Sequence, residues 1–347
     1  MRKIALDNLP KLFAAIDKTA QLWLPLLDEK SDIVDFSLWR EGATARLCGK
    51  TDKSGKDFFF PQSEDIVSFK TEGKEIRINE ADRASAPFVV FGMRGCDSKG
   101  MEVLDRVFLS EPKDTFYEAR RNVGTVVSLA CGLPDESCFC TAFGVDPAAP
   151  AGDVTAWIVG DILYWKPLTD KGEQLTSALS SVLEDAGADG DKAVTEEQAK
   201  IAAMMKEMPF NAIKLPNVTP EELEKFFELP IWAKLSESCL GCGPCTFVCP
   251  TCQCYDIQDR PAKDGGVRRF RCWDSCMYSD FTLMAHGNPR TTQLQRFRQR
   301  FMHKLVYFPQ NNDGMYSCVG CGRCVEKCPS SLNIVKVIKT LEAIPHE

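Results

Sequence analysis

The sequence predicts an α+β chain in which a mixed α/β domain precedes a mainly helical domain. Two apolar runs in the first half, 89–91 and 123–129, have the length and composition of buried strands. A small, polar stretch at 186–193 has the composition of a linker. Cysteine-rich runs and helix-start signals follow it. We therefore expect an α/β domain at 1–190, a helical connector at 191–235 and a cysteine-rich domain at 236–347.

The elements of the first domain follow from its apolar periodicity. Apolar side chains recur at helical spacing in 9–16, in 99–108 and in 175–183, which predicts three amphipathic helices. Residues 155–159 and 162–165 flank a Gly-Asp pair and predict a β-hairpin. The alternation of strand and helix patterns is typical of a mixed α/β domain.

The connector carries two helix-start signals. Thr195 and Gln198 have the spacing of a capping box, which predicts a helix that ends near residue 208. Thr219-Pro220, followed by Glu222, predicts the start of another. Both helices would join the α/β domain to the cysteine-rich domain.

Composition favours metal binding by a protein of a reducing compartment. The 347 residues include 17 Cys and 3 His, and the net charge is −7. The N-terminus lacks a signal-peptide pattern, and no apolar run approaches the roughly 18 residues of a membrane span. We therefore expect a cytoplasmic chain with reduced thiols and no membrane insertion. The net acidity argues against a nucleic-acid partner.

One internal repeat dominates the second half, with CLGCGPCTFVCP at 239–250 and CVGCGRCVEKCP at 318–329. The spacing CxxCxxCxxxCP places three thiolates on one [4Fe–4S] cluster and the fourth on a neighbouring cluster, as in two-cluster ferredoxins. Two zinc knots are the alternative, but zinc sites typically use paired CxxC elements. We predict a ferredoxin-like module with two crossed ligand sets: Cys239, Cys242, Cys245 and Cys328 for one cluster, and Cys318, Cys321, Cys324 and Cys249 for the other.

Four cysteines of the first half form a second group. Cys96 and Cys131 follow the two predicted strands, and Cys138 and Cys140 come shortly after. Together they could complete a third cluster. The alternative is that they are buried thiols that pack as small apolar side chains.

The five remaining cysteines leave two interpretations open. Four of them lie within 25 positions and could form a fourth site, either a cluster or zinc, or a reduced buried set: Cys252, Cys254, Cys272 and Cys276. Steric competition with the neighbouring cluster counts against a fourth site. Cys48 is expected to be an ordinary buried thiol.

A basic amphipathic helix is predicted within 291–305. Leu294, Phe297 and Phe301 share one face, and Arg296, Arg300 and Lys304 align on another. The cations would form a solvated face, or they would offset the negative charge of clusters and raise reduction potentials, or dock an acidic partner. His286, His303 and His346 are scattered, and each is expected to be a surface or hydrogen-bonding residue.

Several separated motifs together resemble a [4Fe–4S] dicluster family, that of cytosolic sulfhydrogenase β subunits and the corresponding subunits of anaerobic sulfite reductases. These motifs are GMRGCD, CGLPDESCFC, CPTCQCYDI, RCWDSC and HKLVYF, followed by CVGCGRC. The resemblance spans nearly the whole chain and favours the ligand role of the four N-terminal cysteines. Only the WDSC part of 271–276 is typical of the family, which puts Cys272 in doubt as a ligand.

The resemblance implies an anaerobic electron-transfer protein within a cytoplasmic hetero-oligomer. Such a chain would relay single electrons between two kinds of partner: a reductase subunit that binds flavin and NAD(P), and a hydrogenase, sulfite reductase or other redox subunit. The sequence has no GxGxxG after a strand, no GxxxxGK[ST] and no CxxCH, so it gives no support to nucleotide or haem binding. The alternative is a self-contained iron–sulfur reductase in which Arg94, Arg120 or Arg121 binds an anion.

Overall fold

Two β-sheets organise the chain. The computed structural model describes residues 1–83, 86–263 and 265–343. The large sheet has the strand order β10-β1-β9-β8-β7-β6-β2-β3, and the small sheet has the order β11-β12-β4-β5. The strands are β1 (Arg2–Ala5), β2 (Gln21–Asp28), β3 (Ile33–Leu38), β4 (Ser63–Glu72), β5 (Glu75–Glu80), β6 (Phe88–Met93), β7 (Gly124–Leu129), β8 (Val154–Val159), β9 (Ile162–Pro167), β10 (Glu184–Asp185), β11 (Tyr255–Pro261) and β12 (Val267–Trp273).

Helices of very different length accompany the sheets. They are α1 (Leu9–Asp17), α2 (Gly95–Phe108), α3 (Thr115–Val123), α4 (Asp170–Ala178), α5 (Gly187–Lys206), α6 (Leu223–Phe227), α7 (Ile231–Ser236), α8 (Pro244–Phe247), α9 (Gln293–Met302), α10 (Phe308–Asn311), α11 (Arg323–Glu326) and α12 (Ile334–Glu342). A π-helical segment, His303–Tyr307, joins α9 to α10. Among the described helices, none combines the length and apolar character needed to cross a bilayer.

The large sheet is mixed, with β2, β6, β7 and β8 parallel to their neighbours in that group. Apolar side chains of β6 alternate between its two faces, as the period of a strand requires. Val89 and Phe91 pack in one core with α1, and Val90 packs in a second core with α2. The predicted helix at 9–16, the two predicted strands and the predicted hairpin, formed by β8 and β9, are confirmed. The third predicted helix ends earlier than expected, at Ala178.

The linker predicted at 186–193 is wrong, because this stretch forms the first turns of α5. Val194, Ile201 and Met205 are buried and anchor the helix against the large sheet. The small residues before them allow a close approach, and Gly190 lies where an added Cβ would be 3.2 Å from the Tyr164 ring. Thr195 therefore lies inside the helix and bonds the Asp191 carbonyl rather than capping a new helix.

A mainly helical second domain is also not supported, because β11 and β12 form a long antiparallel hairpin there. β12 pairs with β4 from the first half of the chain. One sheet thus draws strands from both the first and the last predicted segment. Helices α7, α9 and α12 pack beside it around Trp232, Phe297 and Ile338. The division at 1–190, 191–235 and 236–347 stays a prediction.

Candidate iron–sulfur centres

The first predicted ligand set lines one pocket near the surface, which we call the outer site. Its walls include Cys239, Cys242, Cys245 and Cys328. Cys242 is exposed, whereas the other three thiols are half-buried. The side-chain amide of Gln293 lies 3.2 Å from the Cys239 sulfur. A pocket with four soft thiol donors fits a [4Fe–4S] cluster, because thiolates are the ligands such clusters take.

The second predicted set forms the inner site, Cys249, Cys318, Cys321 and Cys324. Burial raises the pKa of Cys318 to about 12, and the charges of Cys249 and Cys321 add to this rise although Lys304 opposes it. Burial also raises the pKa of Cys324, with further contributions from Cys321, Cys249 and Cys318. These four thiols therefore lie close enough to interact, and binding a metal would hold them as thiolates.

The N-terminal cysteines lie at the carboxyl ends of β6 and β7, which are parallel neighbours. Burial raises the pKa of Cys140, and the charges of Cys131 and Cys138 raise it further. Cys96, in the first turn of α2, is close to both Cys140 and Cys321. We call Cys96, Cys131, Cys138 and Cys140 the N-terminal group. The structure brings the four together, and their role as ligands stays a prediction.

The N-terminal group packs directly against the inner-site loop. The Phe139 amide donates to the Gly320 carbonyl at 2.9 Å. Gly320 has φ +59°, and a Cβ there would lie 2.3 Å from the Phe139 carbonyl oxygen. Only glycine allows this approach, because a side chain would collide with backbone. The buried Arg323 reaches Asp97 of α2 at 2.6 Å. Sequence reasoning missed this ion pair because its partners are 226 positions apart.

A lysine supports the same contact from the other side. Lys50 lies 3.0 Å from Asp135 and 2.8 Å from the Ser137 hydroxyl, and it also pairs with Glu326. Its ammonium is 3.8 Å from the Cys138 sulfur. Lys50 was not among the predicted site residues, since a single lysine in a loop carries no sequence signal.

The remaining cysteines divide in a way that the sequence did not predict. Cys252, Cys254 and Cys276 lie beside the outer and inner sites. Cys272 lies on β12 opposite Asp256, and the charges around it come from Asp256, Asp274 and Arg260 rather than from other cysteines. Cys48 is exposed, so the expectation of a buried thiol is wrong. Among the described His, Cys, Asp and Glu side chains, no three surround a position suited to a single metal ion.

The basic helix has a buried cationic face, so the interpretation as a solvated face is wrong for two of its residues. Arg300 donates to the Cys245 carbonyl at 2.7 Å and lies 3.6 Å from the Cys252 sulfur. Lys304 contacts the Cys249 sulfur at 3.4 Å and the Ser317 carbonyl at 2.8 Å. Burial would lower the pKa of Lys304, but the neighbouring thiols raise it. Both cations are therefore positioned to offset negative charge on thiolates.

The three arginines of the reductase alternative are already engaged by protein oxygens. Arg94 donates to the carbonyls of Gly49 and Ala130 at 2.8 and 2.9 Å. Arg120 pairs with Glu64, and Arg121 makes a bidentate pair with Asp105 at 2.9 and 2.8 Å. These contacts favour structural roles, and no observation on these residues supports an anion-binding site.

His303 gives the stability of the protein a predictable pH dependence. Burial, with Lys304, Arg300 and Arg290 nearby, lowers its pKa from the usual 6.5 to about 4. The unfolded chain thus binds a proton that the folded chain rejects, so stability is lost as the pH falls from 6.5 toward 4. His303 should cost on the order of 2 kcal/mol of unfolding free energy at about pH 5 relative to about pH 7.

Denaturant titrations of the protein and of His303→Gln at both pH values test this expectation. The variant should lose less stability on acidification. An equal loss in both proteins would contradict it. Of the other histidines, His286 is exposed as expected, and His346 lies outside the described residues.

The comparisons with known proteins agree with this arrangement. Residues 238–332, which contain both cysteine runs, match the family model described as a 4Fe-4S dicluster domain. The chain is also 35% identical over 285 residues to the sulfhydrogenase 2 subunit beta of Pyrococcus furiosus, covering 81% of this chain and 80% of the relative. The chain belongs to the sulfhydrogenase β-subunit family. It is thus an iron–sulfur protein, and its dicluster domain indicates two [4Fe–4S] clusters.

Proposed function

We propose that the chain is an iron–sulfur electron-transfer subunit of a sulfhydrogenase-like complex in the cytoplasm. It would relay single electrons between two kinds of partner: a reductase subunit that binds flavin and NAD(P), and a hydrogenase, sulfite reductase or other redox subunit. The observation that carries this proposal is the series of contacting cysteine groups, with the inner site between the N-terminal group and the outer site. When bound, [4Fe–4S] clusters supply reversible one-electron carriers.

Three cluster-binding sets are proposed. The outer site and the inner site would hold the two clusters of the dicluster domain, each through four cysteines. The N-terminal group would hold a third cluster through Cys96, Cys131, Cys138 and Cys140. Its support is the contact of Cys96 and Cys140 with Cys321 of the inner site.

The chain's own residues support the series at both ends. Arg323 and Lys50 clamp the N-terminal group to the inner-site loop. At the other end, the exposed Cys242 and the neighbouring Leu240 leave the outer site accessible to a redox partner. The β-subunit name of the relative supports a hetero-oligomer.

Metal analysis and a reductive titration test the proposal. The double variant Cys138→Ser/Cys140→Ser should lose about four irons and four acid-labile sulfides per chain relative to the parent. Unchanged iron would mean that the N-terminal cysteines bind no cluster. The isolated parent should take up a limited number of electrons and show no turnover with sulfite or polysulfide. Sustained turnover without partners would favour the self-contained reductase.

A further inference from the structure

We propose that Cys252, Cys254 and Cys276 hold an additional iron–sulfur centre beside the outer and inner sites. We call these residues the three-cysteine site. The buried cations Lys56 and Arg300 would balance its negative charge. This inference deepens the proposed function and rests on it only in that the chain assembles iron–sulfur clusters. It differs from the fourth site considered from the sequence, because Cys272 is not part of it.

The three thiols are neighbours of one another and of both ferredoxin-type sites. The thiols of Cys254 and Cys276 hydrogen-bond to each other, and Cys252 lies near Cys254. Cys252 also hydrogen-bonds to Cys249 of the inner site. Cys276 lies near Cys245 of the outer site. The three-cysteine site therefore borders both predicted clusters.

Two buried cations converge on the cysteine that links this group to the inner site. Arg300 is 3% exposed, and its Nη1 atom lies 3.6 Å from the Cys252 sulfur. Lys56 is 2% exposed, and its ammonium donates to the Cys252 carbonyl at 3.0 Å. The same ammonium lies 3.6 Å from the ring centroid of Trp273.

These cations have no ordinary counter-charge. In the described part of the chain, neither Lys56 nor Arg300 forms an ion pair with a carboxylate. The Nε atom of Arg300 is buried without a hydrogen-bond partner. Burying a cation is costly unless a negative charge compensates it. Lys304 faces Cys249 of the inner site, but Lys56 and Arg300 face Cys252, which belongs to neither ferredoxin-type ligand set.

A metal-bound thiolate supplies the missing charge. Neutral thiols would leave both cations uncompensated, whereas coordination to metal deprotonates a thiol outright. The donors are thiols alone, which suit iron–sulfur clusters. Three thiolates could bind three irons of a [4Fe–4S] cluster.

Cys272 offers a matched control. It lies only four positions from Cys276, but its surroundings are the polar residues of the β11–β12 hairpin. The same cysteine-to-serine change should therefore have opposite consequences for metal content at the two positions.

The test compares Cys254→Ser/Cys276→Ser with Cys272→Ser in the anaerobically purified full chain. Iron, zinc and acid-labile sulfide are counted per chain, and the dithionite-reduced proteins are examined by EPR. The double variant should lose about four irons and four sulfides and one EPR component, and Cys272→Ser should match the parent. Unchanged iron in the double variant, loss of zinc instead of iron, or an equal loss in Cys272→Ser would overturn the proposal.

A variant that keeps every thiol guards against misfolding of the double variant. Lys56→Met should retain all iron while the midpoint potential of the EPR component assigned to the three-cysteine site becomes more negative, because a nearby positive charge is lost. Unchanged midpoint potentials of all components in Lys56→Met would overturn the role of this cation. The iron content of Cys242→Ser tests the outer site separately, so failure of this inference and failure of the proposed function are distinguishable.

Discussion

Replacing Cys242 with serine is expected to remove about four irons and four acid-labile sulfides from each chain, whereas replacing Cys48 with serine should remove none. Cys242 lies in the pocket with three further thiols of the outer site. A serine hydroxyl is a poor ligand for a centre that requires soft thiolates. Cys48 is outside the twelve proposed cluster ligands and outside the three-cysteine site.

The two variants form a matched pair because Cys242 and Cys48 are the two exposed cysteines among all 17. A difference in iron content therefore cannot arise from exposure alone. Iron and sulfide are measured on protein purified without oxygen, and EPR of the reduced state identifies the missing component. Full iron content in Cys242→Ser, or iron loss in Cys48→Ser, would contradict the ligand assignment.

The second large effect is expected for Arg323→Met, which should lower the free energy of unfolding by about 3–5 kcal/mol. Arg323 and Asp97 side chains are each 1% exposed and form an ion pair at 2.6 Å. Burial alone would lower the pKa of Arg323, but Asp97 and the nearby Cys321 raise it above its usual value. Removing the guanidinium would leave the Asp97 carboxylate buried without its partner, which is the costly outcome.

Arg269→Met is the control for this prediction. Arg269 pairs with Asp259 at 2.7 Å, but the two side chains are 46% and 42% exposed. Water replaces such a surface contact at little cost. Denaturation of both variants is followed under anaerobic conditions, together with their iron content. Equal stabilities of the two variants would show that the Arg323–Asp97 pair does not hold the N-terminal half to the inner-site loop.

Local patterns were sufficient where neighbouring residues decide the structure. The apolar spacing of Leu9, Leu12 and Ile16 predicted α1, since one helical face must be buried. The hairpin β8–β9 was predicted for the same local reason. The spacing of the cysteine repeat likewise predicted which eight thiols the structure gathers at the outer and inner sites.

Patterns failed where a distant segment provides the partner. Composition predicted a linker at 186–193, but Val194 and Ile201 draw α5 onto the large sheet, and the helix extends back to Gly187. The pairing of β4 with β12 joins segments from the two halves of the chain, which no local periodicity reports. The second segment was therefore predicted to be more helical than it is.

By itself, the sequence determined the metal chemistry of this protein. The cysteine count, the near absence of histidine and the repeated CxxCxxCxxxCP spacing specify thiolate ligands and cluster type, because those depend on residue identity and short-range spacing. Only the tertiary structure decided the environment of those ligands. It places Arg300 and Lys304 beside the thiols, separates Cys272 from Cys276, and sets the N-terminal group against the inner site. Burial and charge contacts between distant segments depend on packing, and packing is decided by the whole chain at once.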